Sequence, residues 1–418
     1  MTPAQTRPVA DAIDPGRLWR RLMRMAEIGG RPDGGVDRQA LSGADGEARR
    51  LLADWARARG FTVWQDGIAN LYVRREGSRP DLPPIATGSH MDSQPTGGKF
   101  DGIYGVMAGF EVLEGLEDAG VQTVRPIECV AWTNEEGSRF LPGAMGSGVF
   151  SGRMALADLL PLADAAGITV DAALRATLAR TSDIPMRDLP YGFGAYIEAH
   201  IEQGPVLDAA GETAGIVTGI QGQCHFTVAV TGTEAHAGTT PMDQRRDALQ
   251  GALRAIAALD AELAMATPRP VFTVGRLTVA PGSPNTIPGQ CDFTIDLRHP
   301  DRATLDRLAD IVRSTAPRAA APCDTVVTQV SGKPPTVFDP AIVDLVRAQA
   351  GALGLPHRDM LSGAGHDAMY IADVAPTGMI FVPCKDGISH NPAESAQPAD
   401  LAAGARLLAA ALVALANR

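Results

Sequence analysis

A complete small-domain pattern set inside a longer α/β pattern is the feature that most restricts the fold of this chain. Between residues 216 and 331, strand and helix patterns follow one another in the order strand, helix, strand, strand, helix, strand. This is the element order of a ferredoxin-like α+β domain. The residues on either side alternate strands with helices, which predicts an α/β sheet. We therefore predict one α/β domain of residues 1–215 and 332–418, with residues 216–331 inserted into it.

Two short patterns lead to specific predictions within this scheme. The segment VFTVGRLTVA (residues 271–280) is predicted to be a strand of the insert. The segment DLAAGARLLAAALVALA (residues 400–416) is predicted to be an amphipathic helix that closes the chain. In α/β sheets, ligands bind beyond the carboxyl ends of the strands. Polar clusters that directly follow strands are therefore the candidates for a functional site.

Composition and charge exclude several classes of protein. The 418 residues suffice for two domains, and 45% of them are hydrophobic, which predicts a large core. The net charge of −11 argues against nucleic-acid binding, which needs a basic surface. The first residues, MTPAQTRPVADAIDPGRL, lack the apolar centre of a signal peptide, and we find no apolar run of about 18 residues that would span a membrane. Five unpatterned cysteines fit a reducing compartment. We expect a cytoplasmic protein without nucleic-acid or membrane partners.

Residues that bind metal ions recur in five separated segments: GSHMDS, GGKFDG, TNEEGSRF, EAHIEQG and ISHNPAE. Their neighbours include Gly, Ser and Asn, which places them in loops or at strand ends. Singly, each has an ordinary explanation: a surface or core histidine, a pair of solvated acids, or a turn aspartate before glycine. The candidates from these segments are His90, Asp92, Asp101, Glu135, Glu136, His200 and His390.

Taken together, these segments favour a site for two metal ions. Imidazole and carboxylate ligands suit zinc, manganese, cobalt or nickel, whereas calcium and magnesium sites use oxygen almost alone. Three histidines and two acids are enough for two ions that share one carboxylate. Loops at one edge of an α/β sheet bring such distant segments together.

Six segments resemble a known family. GSHMDSQPTGGKFDGIYGVMAGFEVLEGL, WTNEEGSRF, EAHIEQGPVL, GTEAHAGTTPMDQRRDAL, SGAGHDA and FVPCKDGISHNPAE are similar to the hydantoinase/carbamoylase family of binuclear metal amidases. That group includes N-carbamoyl-L-amino-acid hydrolases, β-ureidopropionases and allantoate amidohydrolases, and belongs to the aminoacylase and carboxypeptidase G superfamily. The segments run in the family's order from about Gly88 to Glu394 and cover most of the chain.

The resemblance implies a fold and a ligand set. It implies a mixed-sheet, metallopeptidase-like catalytic domain, with the inserted ferredoxin-like domain acting as dimerisation and lid domain. His90 and His200 would bind one divalent ion, Glu136 and His390 the other, and Asp101 would bridge them. Zinc is the first choice for both ions, with manganese, cobalt or nickel as alternatives.

The resemblance also implies catalytic and substrate-binding residues. Glu135 would be the general base that takes a proton from the attacking water and passes it to the leaving nitrogen. His236 would donate a hydrogen bond to the oxyanion. Four residues would bind the substrate: Gln203, His236, Asn285 and Arg298. From the residues alone, His236 and Asn285 are equally explained as turn residues, and Arg298 as one half of a surface ion pair. Arg298 offers a planar fork that suits a substrate carboxylate.

Asp92 is expected beside the metal ligands, where its carboxylate would hold the ring of His90 in one tautomer. We leave open whether Gly363 and Gly365 contact substrate, and we interpret His366 in the same loop as structural.

The predicted reaction is hydrolysis of a small N-carbamoyl amino acid to the amino acid, ammonia and carbon dioxide. Allantoate amidohydrolase is the alternative, since it shares every chemical residue named here, and a dipeptidase or N-acyl amidase is a third choice. A binding protein with a decayed site would lack a ligand or the base, and all six residues are present. The predicted partners are a small substrate with a carboxylate and a second copy of the chain, whose inserted domain would complete the active site.

Overall fold

The structure, a computed structural model, describes residues 8–418 and divides into two compact units. The first unit comprises the described residues up to Thr218 together with Phe338–Arg418, and the second comprises Gly219–Val337. The chain therefore passes from the first unit to the second after Thr218, whereas the sequence predicted residue 215. It returns to the first unit after Val337, whereas the sequence predicted residue 331. Residues 1–7, part of the segment that argued against a signal peptide, lie outside the described residues.

Within residues 8–418, sixteen strands and twelve α-helices have defined bounds, besides two short 3-10 helices at Met242–Gln244 and Lys385–Gly387. The strands are β1 (Thr62–Gln65), β2 (Leu71–Arg75), β3 (Ile85–His90), β4 (Ile127–Trp132), β5 (Ala195–Ile201), β6 (Ala214–Ile220), β7 (Gly222–Thr231), β8 (Ala235–His236), β9 (Val271–Thr273), β10 (Leu277–Ala280), β11 (Thr286–Ile287), β12 (Gln290–His299), β13 (Asp324–Lys333), β14 (Thr336–Val337), β15 (His357–Ser362) and β16 (Thr377–Val382). The helices are α1 (Pro15–Glu27), α2 (Gly43–Ala58), α3 (Ile103–Asp118), α4 (Met145–Phe150), α5 (Leu156–Leu159), α6 (Val170–Arg180), α7 (Val206–Ala210), α8 (Ala248–Leu263), α9 (Arg302–Ala320), α10 (Pro340–Leu353), α11 (Ala368–Ile371) and α12 (Pro398–Ala416).

The first unit is built on a mixed sheet. Its strands lie in the order β1-β2-β4-β3-β5-β16-β6, and β15 pairs with β6. The four central strands β4, β3, β5 and β16 are parallel, whereas β1, β2 and β6 are antiparallel to their neighbours. The parallel strands are buried on both faces, and α3 is buried almost along its whole length against them. The predicted mixed α/β fold class is confirmed.

The closing helix α12 is buried on all sides rather than amphipathic. It contacts the helices α1, α3 and α10 and the strands β3, β5 and β16. By length and composition alone it is apolar enough to cross a membrane, so the prediction that no such run occurs was wrong, although 83% of that stretch is buried in the protein. The prediction of an amphipathic helix was therefore wrong, because the helix lies in the middle of the first unit's core and has no solvent face to make polar.

The second unit has the predicted ferredoxin-like order. An antiparallel sheet in the order β10-β12-β7-β13 carries α8 and α9, and its core contains residues of both helices and of β7 and β12. The segment VFTVGRLTVA forms two short strands instead of one. Both β9 and β10 pair with β12, and the residues around Gly275 between them leave the ladder. A glycine inside a strand pattern commonly marks such a break.

Candidate metal centre

The four parallel strands end at one edge of the first sheet, and each end carries part of the site. His90 is the last residue of β3, and His200 is the penultimate residue of β5. Glu135 and Glu136 follow β4, and His390 follows β16. Because parallel strands present their carboxyl ends on the same edge, segments up to three hundred residues apart meet here.

Asp101 lies at the middle of this group and contacts three histidines. Its Oδ1 lies 3.2 Å from Nε2 of His200 and 3.8 Å from Nε2 of His90. Its Oδ2 lies 3.1 Å from Nε2 of His390, which is itself 3.4 Å from Oε2 of Glu136. The side chains form two potential metal-binding groups, His90–Asp101–His200 and Asp101–Glu136–His390, that share Asp101. The structure therefore brings together all five predicted ligands.

Two of the histidines have their tautomer set by the main chain. Nδ1 of His90 is 2.9 Å from the carbonyl oxygen of Asp92, and Nδ1 of His200 is 2.8 Å from that of Ile201. A carbonyl oxygen only accepts hydrogen bonds, so each Nδ1 carries a proton, and Nε2 is the nitrogen that faces the other residues of the cluster. Both Nε2 atoms face Asp101, which is the arrangement that a metal-binding histidine needs once Nε2 has given up its proton.

The turn that follows Asp101 requires glycine at position 102. Gly102 adopts φ 66°, and a Cβ there would lie 2.2 Å from Cε1 of His90. Its backbone N–H donates to Nε2 of His200 at 3.1 Å. Close approach of the backbone to both histidine rings is thus possible only without a side chain.

Asp92 plays a different role from the one predicted for its carboxylate. That carboxylate lies 3.9 Å from Nδ1 of His90, and the ring is held by the Asp92 main-chain oxygen instead. The two carboxylate oxygens accept hydrogen bonds from the backbone N–H groups of Glu135 and Glu136, at 3.3 and 3.2 Å. Asn134 precedes them with φ 55°, so the chain turns sharply. Consequently both glutamates reach the site, Glu135 with Oε2 at 3.5 Å from Nε2 of His90.

Electrostatics in the centre are dominated by crowded, buried carboxylates. Burial, reinforced by Asp367 and Glu136, raises the pKa of Glu135 well above its ordinary value. Burial and the nearby Asp101 raise the pKa of Glu136 to about 8. Burial alone would raise the pKa of Asp101 too, but hydrogen bonds with His200 and His390 hold it well below its ordinary value.

A second observation fits a cation beside Glu136. Oε2 of Glu136 accepts a hydrogen bond from the side-chain amide of Gln94 at 2.7 Å, whereas its buried Oε1 has no hydrogen-bond partner among the described residues. A buried carboxylate oxygen without a donor is costly unless a cation neutralises it. His390 is the open side of the centre, with a side chain 48% exposed.

Gln203, predicted to bind substrate, lies at the same cluster. It adopts φ 57°, and its amide donates to Oδ2 of Asp101 at 3.0 Å. His390 also has a positive φ of 54°. Residues other than glycine rarely adopt this conformation, and they do so mainly where function holds the backbone in place. Gln94, Ser389 and Glu394 at this cluster were missed from the sequence, although each lies within a quoted motif.

The remaining candidates, His236, Asn285 and Arg298, lie at two separate places in the second unit. His236 is exposed on β8, which pairs with β11, and the N–H of Ala237 donates to the carbonyl oxygen of Asn285 at 3.0 Å. Arg298 lies near the far end of β12, with its guanidinium on the carboxylate of Asp296 at 2.7 Å. The unit thus brings His236 and Asn285 together but not Arg298.

The loop after β15 borders the cluster in the first unit. The ring of His366 packs edge-on against that of His200, with centroids 4.5 Å apart, and its Nε2 is 3.0 Å from Oγ of Ser362. Burial lowers the pKa of His366 well below its ordinary value, so the ring is neutral. A Cβ on Gly363 or Gly365 would meet only open space.

Comparisons with known proteins identify the family. Residues 86–414 match the family described as peptidase family M20/M25/M40. An N-carbamoyl-L-amino-acid amidohydrolase of Rhizobium meliloti is 40% identical over 402 residues, which are 95% of each chain. A crystal structure of a hydantoinase/carbamoylase family amidase from Burkholderia multivorans has 47% identity and a TM-score of 0.92, over 97% of this chain and 98% of that one. The chain belongs to this amidase family. It is therefore a hydrolase. Ureidoglycolate hydrolase of Arabidopsis thaliana is also similar, with 32% identity over 97% of this chain and 87% of that protein.

Proposed function

We propose that this family member hydrolyses the carbamoyl C–N bond of a small N-carbamoyl amino acid, giving the amino acid, ammonia and carbon dioxide. Two divalent ions, zinc first and manganese, cobalt or nickel as alternatives, would be held by the two side-chain groups that share Asp101. That sharing is the observation that carries the proposal, since one carboxylate between two groups is typical of two-metal hydrolytic sites. The 40% identity to an N-carbamoyl-L-amino-acid amidohydrolase supports the substrate class.

Glu135 is the residue that moves the proton. When bound, the ions would polarise the substrate carbonyl and make water a better nucleophile near neutral pH. Oε2 of Glu135 points into the cluster, 3.5 Å from Nε2 of His90, where it can accept a proton from the attacking water. Burial and the neighbouring acids, which raise the pKa of Glu135, also favour its keeping the proton until the leaving nitrogen takes it. Asp92 holds Glu135 in this position through the backbone N–H.

Substrate recognition would use residues from two subunits. The stretch of β12 from Gln290 to Arg298 spans about 27 Å at the usual rise per residue. His236 and Asn285 lie beyond the Gln290 end, because β7 pairs Thr231 with Gln290 and Gln223 with Arg298. A small amino-acid derivative is far shorter than this distance. We therefore propose that each active site takes its His236 and Asn285 from one subunit and its Arg298 from the other.

The edge strand β13 supplies a surface for such a dimer. It is ten residues long and pairs with β7 on one side, and β7 is its single partner among the described strands. Val326 and Val330 on it are 64% and 58% exposed. A long edge strand with exposed valines favours pairing with another strand. β13 of a second copy of the chain would pair with this open strand edge in a twofold-symmetric interface.

A second candidate substrate class is a ureido acid such as ureidoglycolate or allantoate. The similarity to the Arabidopsis thaliana ureidoglycolate hydrolase favours keeping it, because that relative covers nearly the whole chain. Such compounds carry the same ureido group and a carboxylate, so the chemistry assigned to Glu135 is unchanged.

Ammonia release separates these alternatives. We expect turnover of one or more N-carbamoyl-L-amino acids or N-carbamoyl-β-alanine in metal-loaded protein, and loss of that turnover with a chelator. Higher kcat/KM on allantoate or ureidoglycolate would transfer the assignment to the second class. Full activity after complete removal of metal would refute the two-ion proposal.

Mixing two inactive variants tests the shared active site. Glu135→Gln and His236→Ala proteins, each inactive alone, are unfolded to monomers, mixed in equal amounts and refolded. If His236 acts across the interface, activity returns to roughly a quarter of wild type, because half of the dimers are mixed and each has one intact site. No recovery, with dimers shown to exchange by a tag on one variant, would place His236 in its own subunit's site.

A further inference from the structure

Glu394 is a buried carboxylate that joins two ligand segments without being one of the five ligands. It is 4% exposed. Its Oε1 accepts hydrogen bonds from the backbone N–H groups of Phe100 and Asp101, at 2.8 and 3.1 Å. Its Oε2 accepts one from the hydroxyl of Ser389 at 2.9 Å. Since Glu394 follows His390 by four residues, it connects the segment that carries Asp101 to the segment that carries His390.

Gly98 leaves the space that this carboxylate occupies. A Cβ on Gly98 would lie 2.1 Å from Cδ and Oε1 of Glu394, far inside van der Waals contact. Gly98 is not among the glycines with positive φ, so its backbone accepts an L-residue and the requirement is for space alone. An alanine there would displace the whole side chain of Glu394, whose own Cβ would also lie only 2.5 Å away, while the backbone conformation of residue 98 stays permitted.

Ser389 extends the connection from Glu394 to the shared ligand. Its Oγ is 2.9 Å from Oε2 of Glu394 and 3.1 Å from Oδ2 of Asp101. One hydroxyl has one proton to donate, so it bonds to one carboxylate at a time and stays within reach of both. Oδ2 is the oxygen of Asp101 that faces His390. The orientation of that oxygen thus depends on where Glu394 holds Ser389 and the backbone of Asp101.

We propose that Glu394 is a positioning residue that sets the geometry between Asp101 and His390, and thereby the affinity of the Asp101–Glu136–His390 group for its ion. This rests on the proposed two-ion function. Loss of a group that orients a metal ligand typically weakens metal binding about 10–100-fold. The ion held by His90 and His200 should be affected less, because the main-chain oxygens of Asp92 and Ile201 orient those two rings.

The test measures metal binding directly. Purified full-length wild type, Glu394→Gln, Glu394→Ala and Gly98→Ala proteins are stripped of metal and titrated with Co²⁺, with visible absorption and elemental analysis after dialysis as readouts. We expect two ions in wild type. In the Glu394→Ala and Gly98→Ala proteins, we expect one retained ion and a second site weakened about 10–100-fold. Glu394→Gln should be intermediate, because its amide oxygen still accepts from the two N–H groups.

Glu202 provides a matched control. It is a buried carboxylate of the same unit that also accepts from two backbone N–H groups, those of Val206 and Leu207 at 2.8 and 2.7 Å. Its hydrogen bonds cap α7 and involve none of the five ligands. Glu202→Gln should lose some thermal stability and bind two Co²⁺ ions as wild type does.

The outcomes test the proposed function and the role of Glu394 separately. If wild type binds no pair of ions, the proposed function fails. If wild type binds two ions and the Glu394 and Gly98 variants bind both with unchanged affinity, the role of Glu394 is refuted and the function stands. A variant that merely loses stability would show a lower melting temperature in the metal-free state, with the same Co²⁺ titration and spectrum as the Glu202 control.

Discussion

The two units hold their candidate functional residues in opposite ways. In the first unit, the ligand side chains contact one another, and Asp101 lies within 3.8 Å of three histidines. In the second unit, His236 and Asn285 are exposed, and they lie beside one another where the two short strands β8 and β11 pair. The first arrangement brings five candidate ligands together within one chain, whereas among the described residues of the second unit the contact between His236 and Asn285 is one of paired main chains. Under the proposed function, the chemistry would belong to the first unit and the recognition residues to the second.

The largest expected effect comes from the residue that both metal groups share. Asp101→Asn should lower kcat/KM by roughly 10³-fold or more, since metal ions supply several kcal/mol of transition-state stabilisation. Bound metal should fall at the same time, as measured by elemental analysis. Two tightly bound ions in this variant would show that the cluster does not depend on the bridging carboxylate.

Glu135→Gln should lower kcat by about 10²–10⁴-fold, the usual contribution of a general base, with both ions retained. Steady-state ammonia release and metal content measure the two quantities separately. A drop in metal content equal to the drop in kcat would instead make Glu135 a ligand, and the division between ligands and base would be wrong.

Metal removal should affect the stability of one unit. At a free metal concentration one hundred times Kd, a bound ion stabilises the fold by about 2.7 kcal/mol. Stripped protein should therefore exchange amide hydrogens faster in β3 and β5 and at an unchanged rate in β7 and β12, as followed by mass spectrometry. Equal acceleration in β7 and β12 would contradict the confinement of the metal centre to the first unit.

Arg298→Ala should have the smallest effect of the four, a rise in KM of roughly 10–100-fold at full metal content, because hydrogen bonds to charged groups contribute about 1.5–3 kcal/mol. Arg302→Ala serves as the control, since that exposed arginine pairs with Asp306 in the same unit. If both variants keep the wild-type KM, Arg298 does not bind the substrate carboxylate.

Much of the fold, and the segments that meet at the sheet edge, could be predicted because local patterns encode them. Strand and helix periodicity gave the inserted order of elements, and histidines and acids next to Gly or Ser marked strand ends. The burial of α12 was not predictable, since it follows from packing against α1, α3 and α10, which the helix's own residues do not reveal.

Hydrogen bonds between residues far apart along the chain could not be predicted from the sequence either. Glu394 accepts from Phe100 across 294 residues, and nothing in either segment identifies the other. Asp92 was placed correctly beside the ligands, but its carboxylate binds backbone N–H groups of the loop after β4. Main-chain donors and acceptors carry no side-chain signal, so such contacts require coordinates.

The exposure of His390 has a consequence for how the protein is handled. Of the five clustered side chains, His90, His200 and Asp101 are almost fully enclosed, whereas solvent reaches about half of His390. Buffers that scavenge metal would then deplete the centre from that side first. Preparations washed in such buffers should contain protein with one of the two proposed ions. Their specific activity would then depend on how the protein was purified as well as on the enzyme itself.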